Sequence, residues 1–315
     1  MRKRVARVAA LLVLASALAF ASPAAASFPG KNGRIYFGNG NWPRGHQTDV
    51  YSMSSRGTHI RLVREFTGLE HELAVSPNGR RIAFVHSILN DDDYTDVWLG
   101  TMKSDGSDVT RLPGPVGGVE RPYQSPAFTP DGRTIAYVGY GFPFAPYSDI
   151  YTIAAHGREP GSPLLTLQQD VTSPNFSPDG TKIAYAQNDG GESPIDANLN
   201  IYVADADGTD PIQVTDGPGF EVEPDFSPNG RRIVYTRPHG IFDMRVLGSD
   251  VRQLTNKSDG APDYSPNGEK IIYLRRPGRR ATIFKMNADG SHERRLTKER
   301  TFLFTSAPDW APKPH

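Results

Sequence analysis

The chain has 315 residues, with 35 basic and 35 acidic side chains and no cysteine. A protein that binds nucleic acid needs a basic surface to neutralise phosphates, and neither the net charge nor any charged run of this sequence supplies one. Without cysteine the chain has neither a disulfide framework nor a cysteine nucleophile. The stability of the fold must therefore come from its core, and the chain is long enough to bury one.

The first 26 residues predict a secretory signal peptide. Four basic side chains lie within the first seven residues, an apolar run follows over residues 8–21, and the small residues 24–26 offer a cleavage site before Ser27. The apolar run is too short to span a bilayer comfortably. We therefore expect residues 27–315 to form a single domain of a mildly acidic, secreted or periplasmic protein without a transmembrane segment.

After this segment a short phrase of the form Ser/Thr-Pro-Asp/Asn-Gly returns along the chain. Its five complete copies begin at Ser76, Thr129, Ser177, Ser227 and Ser265. A sixth copy begins at residues 308–312 and continues at residues 32–37, near the other end of the chain. A repeat that starts at one terminus and finishes at the other is typical of a closed ring, and radial repetition of small sheets is a β-propeller.

Each repeat predicts four strands in the same order. A segment of the form Pro-x-aromatic leads into the Ser-Pro-Asp/Asn-Gly turn, and an apolar second strand follows, as at residues 82–84, 135–137, 183–185, 233–235 and 271–273. A third strand ends at a glycine turn, such as Asp207-Gly208 or Asp289-Gly290, and a fourth strand closes the unit, as at residues 213–215, 253–255 and 295–297. Glycine in these turns accepts the positive φ of tight hairpins. The prediction is an all-β fold: a six-bladed β-propeller of four-stranded antiparallel blades, closed by pairing of the N- and C-terminal strands in one blade.

These motifs resemble the TolB-type (WD-repeat-like) propeller repeat, most fully over residues 174–215 and in outline over essentially the whole of residues 27–315. Two departures are visible. The first is that we expect the repeats to leave no room in this chain for the N-terminal α/β domain of TolB. The second is that Leu73 and Val75 occupy the positions where other repeats have proline and an aromatic residue. The resemblance implies a fold rather than one activity, because the family spans periplasmic scaffold proteins, propeller domains of prolyl-oligopeptidase-like enzymes and some pectin-fragment lyases.

Five carboxylates are predicted to converge at one mouth of the central channel, because they lie at the start of the innermost strands. They are Glu70, Glu72, Glu221, Glu223 and Asp259. Crowded carboxylates attract cations, and hard cations prefer oxygen ligands. We therefore predict a binding site here, with a divalent cation (Ca, Mg or Mn) as its candidate cofactor and the ligand set left open. The alternative is that these acids are solvated connector residues paired with arginines.

Aromatic side chains also gather in the predicted loops on the same face as this mouth. They are Trp42, Tyr94, Tyr140, Phe142, Phe144 and Tyr147. Aromatics in exposed loops suit flat partners such as sugar rings and peptide side chains, and they are enriched in binding hot spots. The alternative is that the long loops pack on themselves.

Two functions remain open on the sequence. The leading hypothesis is a monomeric, non-enzymatic binding or scaffold propeller that presents its loop face and acidic mouth to an envelope or extracellular protein, peptide or glycan. It depends on the absence of a catalytic motif, such as the Gly-x-Ser-x-Gly elbow of a hydrolase, and on the resemblance to TolB. The alternative is a carbohydrate-active enzyme, a glycoside hydrolase or lyase, that uses mouth carboxylates as acid and base.

Overall fold

The computed structural model describes residues 27–40, 48–90, 93–114, 124–140, 147–167, 169–190, 198–217, 219–276, 281–297 and 306–314. Within these ranges the chain forms strands and turns, and none of them contains a helix that could cross a membrane. The all-β fold class predicted from the sequence is confirmed.

The strands follow the sequence repeats. The first two repeats contain β1 (Asn32–Gly40), β2 (Thr48–Met53), β3 (Arg61–Arg64), β4 (Leu69–Val75), β5 (Arg81–Asn90), β6 (Asp93–Lys103) and β7 (Thr110–Arg111). The next two contain β8 (Gln124–Phe128), β9 (Thr134–Tyr140), β10 (Ser148–Ala154), β11 (Ser162–Leu165), β12 (Val171–Phe176), β13 (Lys182–Asn188), β14 (Leu199–Asp205) and β15 (Ile212–Gln213). The remainder are β16 (Val222–Phe226), β17 (Arg232–Arg237), β18 (Gly240–Arg245), β19 (Arg252–Gln253), β20 (Asp259–Tyr264), β21 (Lys270–Arg275), β22 (Thr282–Asn287), β23 (Arg294–Arg295) and β24 (Asp309–Pro312).

Strands that are neighbours in the chain are also neighbours in the sheets. Four sheets have four antiparallel strands each, in the orders β8-β9-β10-β11, β12-β13-β14-β15, β16-β17-β18-β19 and β20-β21-β22-β23. A further sheet has eight strands, and a single parallel pair, Thr48 with Leu69, joins its two antiparallel groups β24-β1-β2-β3 and β4-β5-β6-β7. The C-terminal strand β24 thus pairs with β1, and Ile35 lies opposite Trp310.

The Ser-Pro-Asn-Gly phrase forms the turn between the first and second strands of its repeat. In the copy before β5, the N–H of Gly79 donates to the carbonyl of Ser76 at 2.8 Å, and the Ser76 hydroxyl donates to Oδ1 of Asn78 at 2.9 Å. Gly79 has a φ of +67°, a conformation that a side chain disfavours. The phrase returns in the sequence because each repeat needs this turn.

The core repeats one aromatic contact. In each repeat an aromatic of the second strand packs on an aromatic of the third, with ring centroids 5.6–6.1 Å apart. The pairs are Phe37–Tyr51, Phe84–Trp98, Tyr137–Tyr151, Tyr185–Tyr202, Tyr235–Phe242 and Tyr273–Phe284. Trp310 is 2% exposed and packs in the cluster that contains Ile35 and Phe37.

The first strand of each repeat is in contact with the first strand of the next. β4 contacts β8, β8 contacts β12, β12 contacts β16, β16 contacts β20, β20 contacts β24, and β24 contacts β4. These six strands are here called the innermost strands. Four of the carboxylates that the sequence singled out lie in them, and the fifth, Glu221, directly precedes β16.

Candidate functional site at the innermost strands

The innermost strands β4, β8, β12, β16 and β20 each contain a bulge at the same repeat position. The bulged residue lies in the left-handed region, with φ between 52° and 58°, at Glu72, Ser125, Ser173, Glu223 and Ala261. This conformation costs a non-glycine residue about 1–2 kcal/mol. A bulge changes the direction in which the side chain of the bulged residue points. Two of the predicted carboxylates, Glu72 and Glu223, occupy these positions.

Glu72 and Glu223 each reach the bulge of the next innermost strand. Oε2 of Glu72 accepts from the N–H of Ser125 at 2.5 Å, and Oε2 of Glu223 accepts from the N–H of Ala261 at 2.6 Å. Glu223 also accepts from the hydroxyl of Thr236 at 2.6 Å. Both carboxylates therefore join neighbouring repeats, using the strong hydrogen bonds that a charged acceptor makes.

The other three predicted carboxylates pair with a basic residue on the adjacent strand of their own repeat. Glu70 contacts Nδ1 of His86 at 2.6 Å, Glu221 contacts Nε of Arg237 at 2.6 Å, and Asp259 contacts Nε and Nη2 of Arg275 at 2.7 and 2.8 Å.

Arg275 also donates to Glu293, at 2.8 Å and 2.5 Å, and this hydrogen bonding is the main reason that the pKa of Glu293 is lowered to about 2. Its bonds to Asp259 and Glu293 raise the pKa of Arg275. Arg275 therefore binds two carboxylates of its repeat and favours the ionised form of Glu293.

All five predicted mouth carboxylates are buried, none more than 5% exposed. They are therefore not a solvated rim, and each has a protein partner in place. Within the described ranges no three His, Asp or Glu side chains are arranged to hold a metal ion. The divalent cation stays a prediction.

A second set of polar side chains lies further along the innermost strands, at the x position of the Pro-x-aromatic segment. We call this set, formed by Asn175, Asp225, Asp263 and Asp309, the inner ring. Each side chain of this inner ring accepts the N–H of the aromatic-position residue on the next innermost strand. The contacts are Asn175 with Phe226 at 3.2 Å, Asp225 with Tyr264 at 2.8 Å, Asp263 with Trp310 at 2.6 Å and Asp309 with Val75 at 2.5 Å. Ala74 and Ala127 occupy this position in the other two repeats.

The three aspartates of the inner ring are deeply buried and close enough to interact electrostatically. Burial raises the pKa of Asp225 to about 7. The pKa of Asp263 is also raised, first by burial and then by the charges of Asp225 and Asp309, and burial raises that of Asp309. Ser27 lies against two of them, because its hydroxyl contacts Oδ2 of Asp225 at 2.8 Å and Oδ1 of Asp263 at 3.0 Å.

The inner ring was not among the candidates drawn from the sequence. The sequence does contain a pattern that indicates it, because the x position holds aspartate in three of six repeats and asparagine in a fourth. Aspartate is rarely buried without a specific partner, so its return between a proline and a buried aromatic indicates a structural contact.

The predicted loop aromatics fall largely beyond what the structure describes. Trp42, Phe142 and Phe144 lie outside the described residues. The backbones of Tyr94 and Tyr140 pair with those of Leu89 and Ser148. Tyr147, just before β10, is half-buried. A shared aromatic surface therefore stays a prediction.

Comparison with known proteins agrees with this architecture. The structure is similar to that of TolB from Acinetobacter baumannii (TM-score 0.69, 21% identity, covering 98% of this chain and 73% of that one). It is also similar to a putative TolB from Agrobacterium tumefaciens (TM-score 0.64, 20% identity, covering 89% and 99%) and to an oligogalacturonate lyase in complex with manganese (TM-score 0.55, 13% identity, covering 86% and 76%). At these identities the likeness concerns the fold alone. No curated protein sequence matches this chain.

The repeated four-stranded sheets and the contacts among innermost strands define a β-propeller protein. The family model for the TolB beta propeller domain matches residues 81–315. The chain belongs to this family, and the resemblance seen in its repeats is confirmed.

Proposed function

We propose that this protein is an exported, non-enzymatic binding propeller, a closed ring of six blades that presents its loop face to a partner protein in the periplasm or outside the cell. The leader-like residues 1–26 and the resemblance to periplasmic scaffold propellers support export. Family membership supports the propeller, and the arrangement of its interior supports binding rather than catalysis.

The closed six-bladed ring is supported by two sets of contacts. β24 pairs with β1, which brings the two ends of the domain into one sheet. The innermost strands contact one another in cyclic order from β4 to β24 and back to β4. Closure removes free sheet edges, which are otherwise sites of aggregation.

The observation that carries the proposal is that the interior carboxylates are already bound by the protein. Glu221 and Asp259 are held by arginines, and Glu223 accepts two hydrogen bonds. A glycosidase acid or base must be free to reach the reacting bond. With these groups bound internally, the exposed surface is what remains for recognition.

We place the partner on the loop face and expect it to be a protein. Phe220, in the connection between β15 and β16, is 40% exposed, and Tyr147 lies in the connection between β9 and β10 on the same face. Exposed aromatics are favoured anchors in protein interfaces. Leu247, in the turn between β18 and β19, is 75% exposed at the opposite face and serves as a control.

The test is capture of the partner by the mature, tagged protein from the envelope fraction of its own cells. We expect one protein to be retained by the wild type and by Leu247→Ser and to be lost with the double change Tyr147→Ser, Phe220→Ser. Equal capture by all three forms, or selective binding in a parallel glycan array, would overturn the assignment of a protein partner to this face. Light scattering on the free protein tests the expected monomer.

The same preparation tests the enzymatic alternative. Incubation with acidic and neutral oligosaccharides, with and without manganese, should leave their chain length unchanged. Cleavage that is lost in Glu223→Gln would replace the binding proposal with a carbohydrate-active enzyme.

A further inference from the structure

Ser27, the first described residue, has its backbone nitrogen buried among the acids of the inner ring. This nitrogen lies 3.1 Å from Oδ1 of Asp225, and the residue is 2% exposed. The Ser27 hydroxyl also donates to the carbonyl of Tyr264 at 2.8 Å, in addition to its contacts with Asp225 and Asp263. Ser27 is thus fixed to both β16 and β20.

Phe28 lies on the other side of the ring. It is 3% exposed and belongs to the apolar cluster that contains Ala74 of β4 and Phe128 of β8. Two consecutive residues therefore contact innermost strands of opposite repeats, which places them across the central channel. The chain then leaves towards β1, with the N–H of Gly30 donating to the carbonyl of Pro266 at 3.0 Å.

The inner ring has three buried carboxyl groups, and the described residues place no positive side chain in an ion pair with them. Asp225 of β16, Asp263 of β20 and Asp309 of β24 face one another, β12 contributes the neutral Asn175, and β4 and β8 contribute alanines. Among the ion pairs of the described residues, none involves these three aspartates. Buried carboxylates without a cation are costly.

We propose that the inner ring is a binding site for the α-ammonium group of Ser27, created when the leader is cleaved after Ala26. Hydrolysis adds water across the Ala26–Ser27 peptide bond: the acyl carbon of Ala26 becomes a carboxylate, and the nitrogen of Ser27 becomes an amine that binds a proton. The nitrogen that donates as a neutral amide in the uncleaved chain then carries a positive charge beside Asp225. Processing thereby supplies the cation that the ring lacks and fixes the new N-terminus across the channel.

This inference rests on the export part of the proposed function, and it predicts how stability depends on pH. In a chain that keeps residues before Ser27, the pKa of Asp225 is raised to about 7. The stability of the fold is then greatest below the usual carboxyl pKa and falls as the pH rises to about 7. In the processed chain the ammonium offsets this loss. While the inner-ring carboxylates are ionised they raise the pKa of the ammonium, so its contribution is present below the ordinary value of about 8 and is lost as the pH rises through the higher folded-state value.

The experiment compares the mature chain beginning at Ser27, the same chain with Nα-acetylated Ser27, and a chain extended by one glycine. We expect the first to melt at least about 4 °C higher at pH 7, and the gap to close near pH 4, where the carboxylates are protonated in all forms. Asp225→Asn should close most of the gap at pH 7. Asp207→Asn, at an exposed hairpin turn, should leave it open.

A second measurement does not depend on stability. The α-amine of the folded mature chain should react with an amine-directed acylating reagent at least tenfold more slowly than in the urea-unfolded chain. Equal melting of the three forms at pH 7, or fast acylation of the folded protein, would overturn the proposal, as would an N-terminus other than Ser27 in the protein isolated from its cells. Loss of partner capture would leave these results unchanged, so the two proposals fail separately.

Discussion

The backbone N–H of Trp310 donates a 2.6 Å hydrogen bond to Oδ2 of Asp263. This contact joins the last strand of the chain, β24, to the innermost strand of the preceding repeat, while β24 is also paired with β1. The aspartate and the tryptophan belong to the same three-residue motif in successive repeats. One repeat thus supplies the acceptor, and the next supplies both the donor and the buried ring.

The indole of Trp310 should be a major source of stability. It is 2% exposed and packs with Ile35 and Phe37. Truncation of a buried aromatic costs about 3–5 kcal/mol, so Trp310→Ala should lower the free energy of unfolding by that amount in urea titrations. Leu247→Ala, at a side chain that is 75% exposed, is the control and should change it little. Equal stability of the two variants would contradict the alignment of this strand with the other innermost strands.

The N–H of Val75 donates a hydrogen bond to Asp309. We expect Asp309 to stabilise the fold as the acceptor of this bond rather than through its negative charge. Asp309→Ala leaves that buried N–H without a partner, which costs about 1–3 kcal/mol. Asp309→Asn keeps a carbonyl acceptor in the same place and should be at least as stable as the wild type at neutral pH. Urea unfolding of both variants measures the difference, and a stable alanine variant would show that the bond contributes nothing.

The asparagine variant also has a defined pH signature. Burial raises the pKa of Asp309 well above its ordinary value. A raised carboxyl pKa gives stability that is complete below the ordinary value and is lost as the pH rises towards the folded-state value. Asp309→Asn should therefore weaken the decline of melting temperature with rising pH from about 4 upwards. An unchanged decline would mean that Asp309 does not titrate in this range.

The strand pattern was predictable because its causes are local. The turn phrase, the short apolar second strands and the glycine hairpins are each complete within a few residues, so the sequence alone indicates them. The terminal pairing was predictable for another reason: residues 308–312 and 32–37 are two halves of one repeat, and Ile35 does lie opposite Trp310.

The environment of the mouth carboxylates was harder to predict, because it depends on register. Glu70 and Asp259 have cross-strand partners 16 residues further along the chain, His86 and Arg275. Because the same spacing between acid and base occurs in more than one repeat, the sequence could have indicated these pairs. The contact of Ser27 with Asp225, 198 residues away, has no signal in spacing, because it arises only when the channel is formed.

A threonine that follows the fourth strand should stabilise three of the repeats through one hydrogen bond each. The hydroxyls of Thr215, Thr255 and Thr297 accept the N–H of the third-strand isoleucine at 2.8, 3.0 and 3.0 Å. Thr255→Val keeps the shape but removes the acceptor for Ile241, and we expect a loss of about 1–3 kcal/mol in urea unfolding. Thr255→Ser retains the hydroxyl and should recover most of this loss. Equal losses in both variants would assign the effect to packing.

Acid stability should depend on Glu293. The hydrogen bond from Arg275 lowers the pKa of Glu293 to about 2, from an ordinary value of 4.5. A lowered carboxyl pKa gives stability that is complete above the ordinary value and is lost as the pH falls towards the folded-state value. Glu293→Gln should therefore melt lower than the wild type at neutral pH, and the difference should shrink as the pH falls from about 4.5 to about 2. Glu269→Gln, at an exposed turn carboxylate, should follow the wild-type profile. A constant difference between Glu293→Gln and the wild type over this range would mean that ionisation of Glu293 does not contribute to folding.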